Sequence, residues 1–344
     1  MKLGIIVRAD DTGLGYQTKN LTYMLKPDRI LVIDSSSFNK GAKQHKDWYD
    51  GFNGYISKGF PTNQQIQQFA NGLTHILTCE IPYNYHLFTY AQRRGIKTYL
   101  QLNYEFFDAL NGGVPHPTKY IAPSRWHEKE LERYSVEFLP PPTFASNFKE
   151  ARETNLKKQG YRRFLHVVGR QAVNDRNGTI DLIESLEHCK EDFELVIRSQ
   201  GEISGVENIS DRRVTIASTN VADQSDMYKG FDAMILPRRY GGLCLPMNEA
   251  LISGLPVLMT DVSPNNIVLP KEWLFKTSSK TSFYTRTSID CYSSDKKDLA
   301  KKIDAFAEMT DEQLSNEKVK AVDIGIDNFS SDSLKPKYER LLSE

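Results

Sequence analysis

The chain has 344 residues, 39% of them hydrophobic, and its 44 lysine and arginine residues balance 44 aspartate and glutamate residues. This length favours two domains of about 150 residues each. The neutral balance argues against a global field that attracts polyanions or anionic membranes, although it does not exclude a local basic groove. No apolar run approaches the roughly 20 residues of a membrane span, and acidic residues follow the first strand too soon for a secretion signal. We therefore expect a cytoplasmic protein.

The spacing of cysteine and histidine predicts neither a disulfide framework nor a metal site. The four cysteines, at 79, 189, 244 and 291, lie far apart without a C-x-x-C pair. The seven histidines form no H-x-x-x-H or H-E-x-x-H pair of the kind that binds zinc. Buried, reduced thiols are the expected state.

The first half of the chain alternates predicted strands and helices. Apolar runs predict strands at 3–7, 30–33, 75–79, 98–102 and 120–122, and helical spacing predicts helices at 16–25, 63–70 and 85–93. This alternation predicts a parallel sheet with helices on both faces. Ligands of such sheets bind beyond the carboxyl ends of the strands, so the loops that follow the strands are the candidate site.

A glycine-rich turn follows the first strand. Gly13 and Gly15 flank Leu14, and backbone amides in such a turn can approach a phosphate. The segment is not a full G-x-G-x-x-G dinucleotide fingerprint, because Thr18 stands at the third glycine position. A tight turn without a ligand is the alternative.

Carboxylates follow three of the predicted strands. Asp10 and Asp11 follow the first strand, Glu80 follows the third and Glu105 follows the fourth. We expect one of these polar clusters to face a substrate, and Asp11 and Glu105 are the candidate catalytic carboxylates. A carboxylate at a strand end also often caps a helix or pairs with an arginine, and that reading stays open.

Three prolines at 140–142 stiffen the chain and mark the exit from the first domain. In the second domain, apolar runs predict strands at 164–168, 194–198, 214–217, 233–236 and 256–259. Helical spacing predicts helices at 179–186, 221–228, 296–309, 311–321 and 336–342. We place the boundaries at 1–155, 156–325 and 326–344.

The loop after the first strand of the second domain carries two arginines. Gly169 ends this strand, and Arg170 and Arg176 follow in VGRQAVNDRNG. Two guanidiniums beside a strand end can clamp a diphosphate, because each offers paired donors. Surface charges without a ligand are the alternative.

A strand, a turn, a helix and another strand follow one another in MILPRRYGGLCLPMNEALISGLPVLMTD, residues 234–261. Pro237 ends the first strand, and Pro246 suits the first turn of a helix. Gly241 and Gly242 allow backbone conformations in the turn that a Cβ would block. A helix that opens there presents unpaired amides and a positive dipole end to an anion. Glu249, one turn later, can accept hydrogen bonds from the hydroxyls of a ribose.

This stretch resembles the donor-binding segment of glycosyltransferase family 4 and its relatives of GT-B fold, E-G-F-G-L-P-x-x-E-A-x-A-x-G-x-P-V. The matching residues are Leu245, Pro246, Glu249, Gly254, Pro256 and Val257. Two positions depart from the pattern: Gly241 stands at the first glutamate, and Cys244 replaces a glycine. No motif position covers Arg238 and Arg239, for which salt bridges are an equal alternative.

The arginine loop resembles the G-R-(x)n-K-G/N pattern of the same family. Arg170 matches the arginine, Arg176 stands where lysine is usual, and Asn177 with Gly178 completes the pattern. The exchange of lysine for arginine keeps the charge and changes the hydrogen-bond geometry.

The resemblance implies an α/β protein of GT-B fold, in which two Rossmann-like, doubly wound parallel-sheet domains face each other across a cleft. Residues 1–155 would hold the acceptor, 156–325 would hold the nucleotide sugar, and 326–344 would close back on the first domain. The implied enzyme is a hexosyltransferase that uses a UDP- or GDP-linked sugar as donor, generally with retention of configuration. It would need neither a metal nor a tightly bound cofactor.

The resemblance also assigns roles to residues. Arg170 and Arg176 would neutralise the leaving diphosphate, the amides of the loop before Pro246 would hold the sugar, and Glu249 would bind the ribose. The implied donor-binding residues are Gly13, Leu14, Gly15, Gly169, Arg170, Arg176, Gly241, Gly242, Leu243, Cys244, Leu245 and Glu249. The candidate catalytic residues are Arg170, Arg176, Asp11 and Glu105.

The segments NDRNGT and PRRYGGLCLP together resemble a subgroup associated with bacteriophage genomes. That resemblance implies a virion protein, a hydroxymethylated DNA base or a glycan as acceptor, and the host cytoplasm as location. Two other functions stay open. One is a sugar-nucleotide-binding protein without transferase activity, because Gly241 stands where a carboxylate is expected. The other is a GT-B nucleotide-sugar epimerase.

Overall fold

The structure is a computed structural model that describes residues 1–169, 174–201, 203–205, 209–218, 221 and 223–344. The chain divides into two compact units. The first unit comprises Met1–Pro142, Thr285–Thr287 and Ser331–Glu344, and the second comprises Thr143–Tyr284 and Ser288–Ser330. Among the helices in these described ranges, none has the length and apolar composition that a membrane crossing requires.

The strands, in chain order, are β1 (Leu3–Arg8), β2 (Arg29–Asp34), β3 (Gly54–Lys58), β4 (His75–Glu80), β5 (Lys97–Leu102), β6 (Lys119–Ala122), β7 (Val136–Phe138), β8 (Arg163–Gly169), β9 (Glu194–Ser199), β10 (Val214–Ala217), β11 (Ala233–Leu236), β12 (Val257–Thr260), β13 (Leu274–Phe275), β14 (Thr277–Tyr284) and β15 (Ser288–Ser294). The helices are α1 (Gly13–Leu25), α2 (Asn63–Ala70), α3 (His86–Arg93), α4 (Glu128–Leu131), α5 (Lys149–Lys157), α6 (Thr179–Ser185), α7 (Leu245–Ile252), α8 (Asn265–Val268), α9 (Lys296–Glu308), α10 (Asp311–Phe329) and α11 (Ser331–Ser343).

The first unit contains a seven-stranded sheet of order β3-β2-β1-β4-β5-β6-β7. Every neighbouring pair is parallel. Strand β1 is buried along its whole length, which explains its continuous apolar sequence. Strands β1 to β3 extend the sheet in one direction, and strands β4 to β7 extend it in the other. The loops after β1 and β4 therefore meet at the switch point, where ligands of such sheets bind.

The second unit repeats this arrangement. Its described residues form a six-stranded sheet of order β10-β9-β8-β11-β12-β13, again with parallel neighbours. Its switch point lies between β8 and β11. The antiparallel pair β14-β15 forms a separate two-stranded sheet. The predicted pair of parallel sheets is therefore confirmed.

Besides the short strands β7 and β13, of three and two residues, two strand regions were missing from the prediction. Strand β3 is an edge strand with four of its five residues exposed, so its sequence, GYISK, carries no apolar alternation toward a core. In the hairpin β14-β15, most residues of β14 are also exposed. Hydrophobic periodicity identifies buried faces, and these elements have little buried face.

Several predicted helices have other limits. Helix α1 begins at Gly13 rather than at residue 16, because the Thr12 side chain caps it by accepting a hydrogen bond from the amide of Gly15 at 3.2 Å. The predicted helix at 221–228 is, within its described residues, a 3-10 turn at Gln224–Met227. Helix α11 is longer than predicted and contains Pro336 in its interior.

Helix α11 belongs to the first unit. Its Tyr338 is fully buried, and the phenol accepts a hydrogen bond from the amide of Gln101 on β5 at 2.7 Å. The same hydroxyl donates to the carbonyl of Pro140 at 3.0 Å. The residues at 331–344 therefore complete the core of a sheet that is otherwise built from the first 142 residues.

His166 links the two central strands of the second unit. This side chain on β8 is fully buried. Its Nδ1 lies 2.8 Å from the carbonyl oxygen of Ile235 on β11, so Nδ1 carries the proton, and its Nε2 lies 2.9 Å from Oγ1 of Thr179 and accepts from it. Burial lowers the pKa of His166 to about 4.

We expect this histidine to make the second unit acid-sensitive. Because the folded pKa lies below the unfolded value of about 6.5, the proton is taken up only on unfolding, and stability falls as the pH drops from about 6.5 toward 4. Between pH 6.5 and pH 5 the loss from this group is about 2 kcal/mol. Urea unfolding of the wild type and of His166→Gln at pH 7.5 and pH 5 measures it. An equal pH dependence in the two proteins would contradict the assignment.

Candidate functional site

The loops after β8 and β11 meet at the switch point of the second sheet. Gly169 ends β8 with a φ of +63°, a conformation that favours glycine. Pro237 follows β11 and begins the segment that leads to α7. Arg170, predicted to contact the diphosphate, lies outside the described residues.

Arg176 lies beside the segment that precedes α7. Its guanidinium carbon is 4.8 Å from the centre of the Tyr240 ring, a cation–π distance. Its carbonyl accepts a hydrogen bond from the amide of Arg239 at 2.8 Å. Tyr240 directly precedes Gly241 and Gly242. The structure therefore brings together the arginine loop and the glycine loop, about 60 residues apart in the sequence.

Gly178 makes this approach possible. A Cβ at position 178 would lie 2.0 Å from the carbonyl oxygen of Pro237, and the φ of +69° also favours glycine. The neighbouring Asn177 donates from Nδ2 to the carbonyls of Val167 and Val168, at 3.0 and 3.1 Å. The two loops are thus packed backbone to backbone and tied to the end of β8.

The start of α7 is suited to an anion. The helix begins at Leu245, has Pro246 in its first turn, and receives no side-chain cap from Cys244. Uncapped first-turn amides and the helix dipole favour negative charge. Gly242, Leu243 and Leu245 are partly exposed, whereas Gly241 and Cys244 are buried. The loop backbone therefore reaches the surface at its middle and at the start of the helix.

Glu249 lies on α7 and is 5% exposed. One carboxylate oxygen accepts a hydrogen bond from the amide of Gln224 at 2.7 Å, and the other accepts from the hydroxyl of Tyr228 at 2.5 Å. Burial raises the pKa of Glu249 to about 7, and the bond from Tyr228 opposes this rise. Sequence reasoning missed both partners, because they lie in a segment predicted only as a connecting helix.

The loop after β1 in the first unit is built around a buried aspartate. Asp10 is fully buried and accepts hydrogen bonds from Nε of Arg8 at 2.7 Å, from Oγ of Ser35 at 2.5 Å and from the hydroxyl of Thr12. Burial acts to raise its pKa, but the bonds from Ser35, Thr12 and Arg8 outweigh burial and hold the pKa below its usual value. Asp10 is therefore a structural carboxylate.

The predicted glycine turn is the first turn of α1. A Cβ at Gly15 would lie 1.9 Å from the carbonyl oxygen of Asp10, so only glycine fits there. Gly13 is exposed and Leu14 is partly exposed. Asp11 is also partly exposed, and its Oδ1 accepts a hydrogen bond from the amide of Lys43 at 2.9 Å.

Glu105 and Asp108 follow β5 but differ in their exposure. Glu105, predicted as a catalytic carboxylate, is 4% exposed. Asp108 lines a small pocket that opens to solvent at the ends of β4 and β5, together with Glu80, Tyr85, Phe106 and Tyr120. Asp108 accepts a hydrogen bond from the hydroxyl of Tyr85 at 2.7 Å and pairs with Arg286. The structure thus brings two carboxylates and several aromatic rings to one pocket of the first unit.

No group of three or more histidine, cysteine, aspartate or glutamate side chains with metal-binding geometry occurs within the ranges that the structure describes. The described positive groups at the loops after β8 and β11 include Arg176, Arg238 and Arg239. Guanidiniums can bind anions directly.

The second unit matches a known family. Residues 162–308 match the family model described as glycosyl transferases group 1. We refer to residues 162–308 as the group 1 domain after this match. It contains both of the packed loops described above, from β8 through α7. No curated protein sequence matches the chain.

Solved structures extend the likeness to the whole chain. A glycosyltransferase from Rickettsia africae has a TM-score of 0.70 at 13% identity, with 99% of this chain and 97% of that chain covered. HepE from Anabaena in complex with UDP has a TM-score of 0.71 at 12% identity, with both chains covered completely. Sucrose-phosphate synthase from Thermosynechococcus elongatus has a TM-score of 0.66 at 14% identity, with 99% and 98% covered. The protein therefore has the GT-B fold, as predicted.

We expect Gly178→Ala to disrupt the group 1 domain strongly. The new Cβ would meet the Pro237 carbonyl, and the backbone conformation would also be strained. Gly160→Ala is the matched control, since Gly160 has a φ of +85° with nothing within 4 Å of a new Cβ. Urea unfolding is expected to show a loss at least about 2 kcal/mol larger for Gly178→Ala than for Gly160→Ala. Equal losses would contradict the close backbone packing.

Proposed function

We propose that the protein is a glycosyltransferase that moves a sugar from a nucleotide-diphosphate sugar, bound by the group 1 domain, to an acceptor held by the first unit. The observation that carries this proposal is the placement of Arg176 beside the glycine loop that opens α7. A guanidinium, loop amides and the positive end of a helix converge there. Together they form a receptor for a leaving diphosphate.

In the proposed reaction the bond between the anomeric carbon and the diphosphate oxygen breaks. An acceptor hydroxyl forms the new bond to that carbon, and its proton passes to the leaving diphosphate or to solvent. Charge accumulates on the diphosphate, where Arg176 and Arg170 neutralise it and the α7 amides donate hydrogen bonds. The backbone of 241–245 holds the sugar, and Glu249 binds the ribose. Retention of configuration follows from the family 4 resemblance.

The donor class is a UDP- or GDP-linked sugar. HepE, which shares the fold, has been solved with UDP and with UDP-glucose, and this supports UDP-glucose as the first donor to test. In the first unit, Asp11 would face the acceptor. The carboxylates of Glu80 and Asp108, near the ends of β4 and β5, support a hydroxyl-bearing acceptor, because carboxylates accept hydrogen bonds from hydroxyls.

The first test uses a variant of Arg176. The purified protein is incubated with a panel of UDP- and GDP-sugars, and the release of free nucleoside diphosphate is followed with and without candidate acceptors. We expect slow release from one donor, and Arg176→Ala is expected to lower the rate by about 100-fold, because the leaving group loses a charged donor. Arg212→Ala is the control, since Arg212 in the same domain has a side chain that is 84% exposed. Equal rates in both variants would contradict the role of Arg176.

The second test uses the pH dependence of donor binding by Glu249. Only the ionised carboxylate accepts hydrogen bonds from both ribose hydroxyls, and its pKa is about 7. The affinity for the nucleotide sugar is therefore expected to rise about tenfold from pH 6 to pH 8. Glu249→Gln removes the titration and is expected to show a flat profile. Calorimetric titration with the intact nucleotide sugar measures both, and parallel profiles would contradict the assignment.

Gly241 favours one other function, binding of a nucleotide sugar without transfer, because no carboxylate stands at the position of the family's first glutamate. The same panel separates the functions. Binding without release of diphosphate under any acceptor supports a binding protein, and interconversion of the donor sugar supports an epimerase.

A further inference from the structure

Arg238 is a buried arginine that the family pattern does not explain. It lies two residues after the end of β11 and is 5% exposed. Its carbonyl accepts a hydrogen bond from the hydroxyl of Thr260, at the end of β12, at 2.6 Å. The backbone of this residue is therefore tied to the end of β12, and its cationic side chain is kept at the switch point of the sheet.

The Arg238 guanidinium joins the two loops of the candidate site. Nη2 donates to the carbonyl of Leu243 at 2.6 Å, and Nη1 donates to Oδ1 of Asn177 at 3.1 Å. Asn177 in turn donates to the carbonyls of Val167 and Val168 at the end of β8. A continuous series of hydrogen bonds thus runs from β8 through the arginine loop to the loop before α7.

Gly241 is the counterpart of this arginine. Its φ is +116°, and a Cβ there would lie 2.5 Å from Nη2 of Arg238. The guanidinium could move away only by giving up its bonds to Leu243 and Asn177. A side chain at position 241 would displace the guanidinium from these bonds, so Gly241 and Arg238 form one arrangement.

The contact with Leu243 also sets the direction of the next amide. The carbonyl of Leu243 and the N–H of Cys244 belong to one planar trans peptide, in which they point in opposite directions. A carbonyl that accepts from the buried guanidinium therefore aims the Cys244 N–H away from Arg238. The same bond polarises the peptide and strengthens that N–H as a donor. Cys244 directly precedes α7, where the anion is expected to bind.

We propose that Arg238 is a positioning residue for the donor diphosphate. It holds the loop of 241–245 so that the Cys244 amide, at the end nearest α7, faces the diphosphate while the rest of the loop reaches the sugar, and it takes the place of a side chain at 241 in organising this loop. The inference rests on the proposed function and adds a residue to the same site. Arg176 and Arg170 would contact the diphosphate, whereas Arg238 acts through the loop backbone.

The test compares a nucleoside diphosphate with its monophosphate. Arg238→Met removes the guanidinium, and Arg238→Lys keeps the charge but cannot bond to Leu243 and Asn177 with one planar fork. Calorimetry measures the affinities for UDP and UMP, and for GDP and GMP. The diphosphate affinity is expected to fall about tenfold or more in Arg238→Met and by a smaller factor in Arg238→Lys. The monophosphate affinity is expected to change by less than about twofold, because its binding depends less on the loop amides.

Arg162→Lys is the matched control. Arg162 is also a buried arginine of the second unit that donates to backbone carbonyls, those of Gly160 and Met309, but it has no contact with the loops. Thermal unfolding of each variant reports the general loss of stability. The control is expected to lose stability while keeping the wild-type ratio of diphosphate to monophosphate affinity.

The outcomes are distinguishable. Equal losses for the diphosphate and the monophosphate, or an unchanged ratio in both Arg238 variants, would overturn the positioning role and leave the proposed function intact. A wild-type protein that binds neither UDP nor GDP would overturn both. If Arg238→Met fails to fold, the ratio in Arg238→Lys decides.

Discussion

The candidate site depends on one close approach of two backbones. The Pro237 carbonyl leaves no space for a side chain at position 178, so the loop after β8 and the loop after β11 lie directly on each other. This contact allows Arg176 to reach Tyr240 and allows Asn177 to reach Arg238. Without it, the arginine loop and the start of α7 would be separate surface features. Both loops leave the same edge of the parallel sheet. Because Gly178 has no side chain, the two backbones can touch.

The second level of organisation is electrostatic. Arg176 and Arg238 contact the loop before α7. The Glu249 carboxylate lies on the helix itself. Glu249 is shielded from solvent and held by Gln224 and Tyr228, so its two oxygens already have fixed directions. A ligand that binds Glu249 must share those oxygens or displace Gln224. Under the proposed function, this arrangement favours ligands that offer better donors than a primary amide.

Much of this could be read from the sequence. The apolar runs of β1, β8 and β11 predicted buried parallel strands, and the glycines and prolines around α7 predicted where its helix begins. From the sequence, Gly178 could be recognised only as one position of the family pattern. The need for glycine arises from the carbonyl of Pro237, about 60 residues away. Arg238 could not be interpreted at all. A long flexible side chain carries no periodic signal, and its partners, Asn177 and Leu243, are defined only by the fold.

The buried contact between Tyr338 and Gln101 has a consequence for the order of folding during synthesis. Strand β5 leaves the ribosome early, yet Tyr338, one of the two acceptors of the Gln101 amide, arrives only after the whole second unit has been translated. Until then the nascent first unit exposes the apolar groove that α11 later fills. Chaperone dependence is therefore expected to be concentrated in the N-terminal half, even though its sheet is contiguous in sequence.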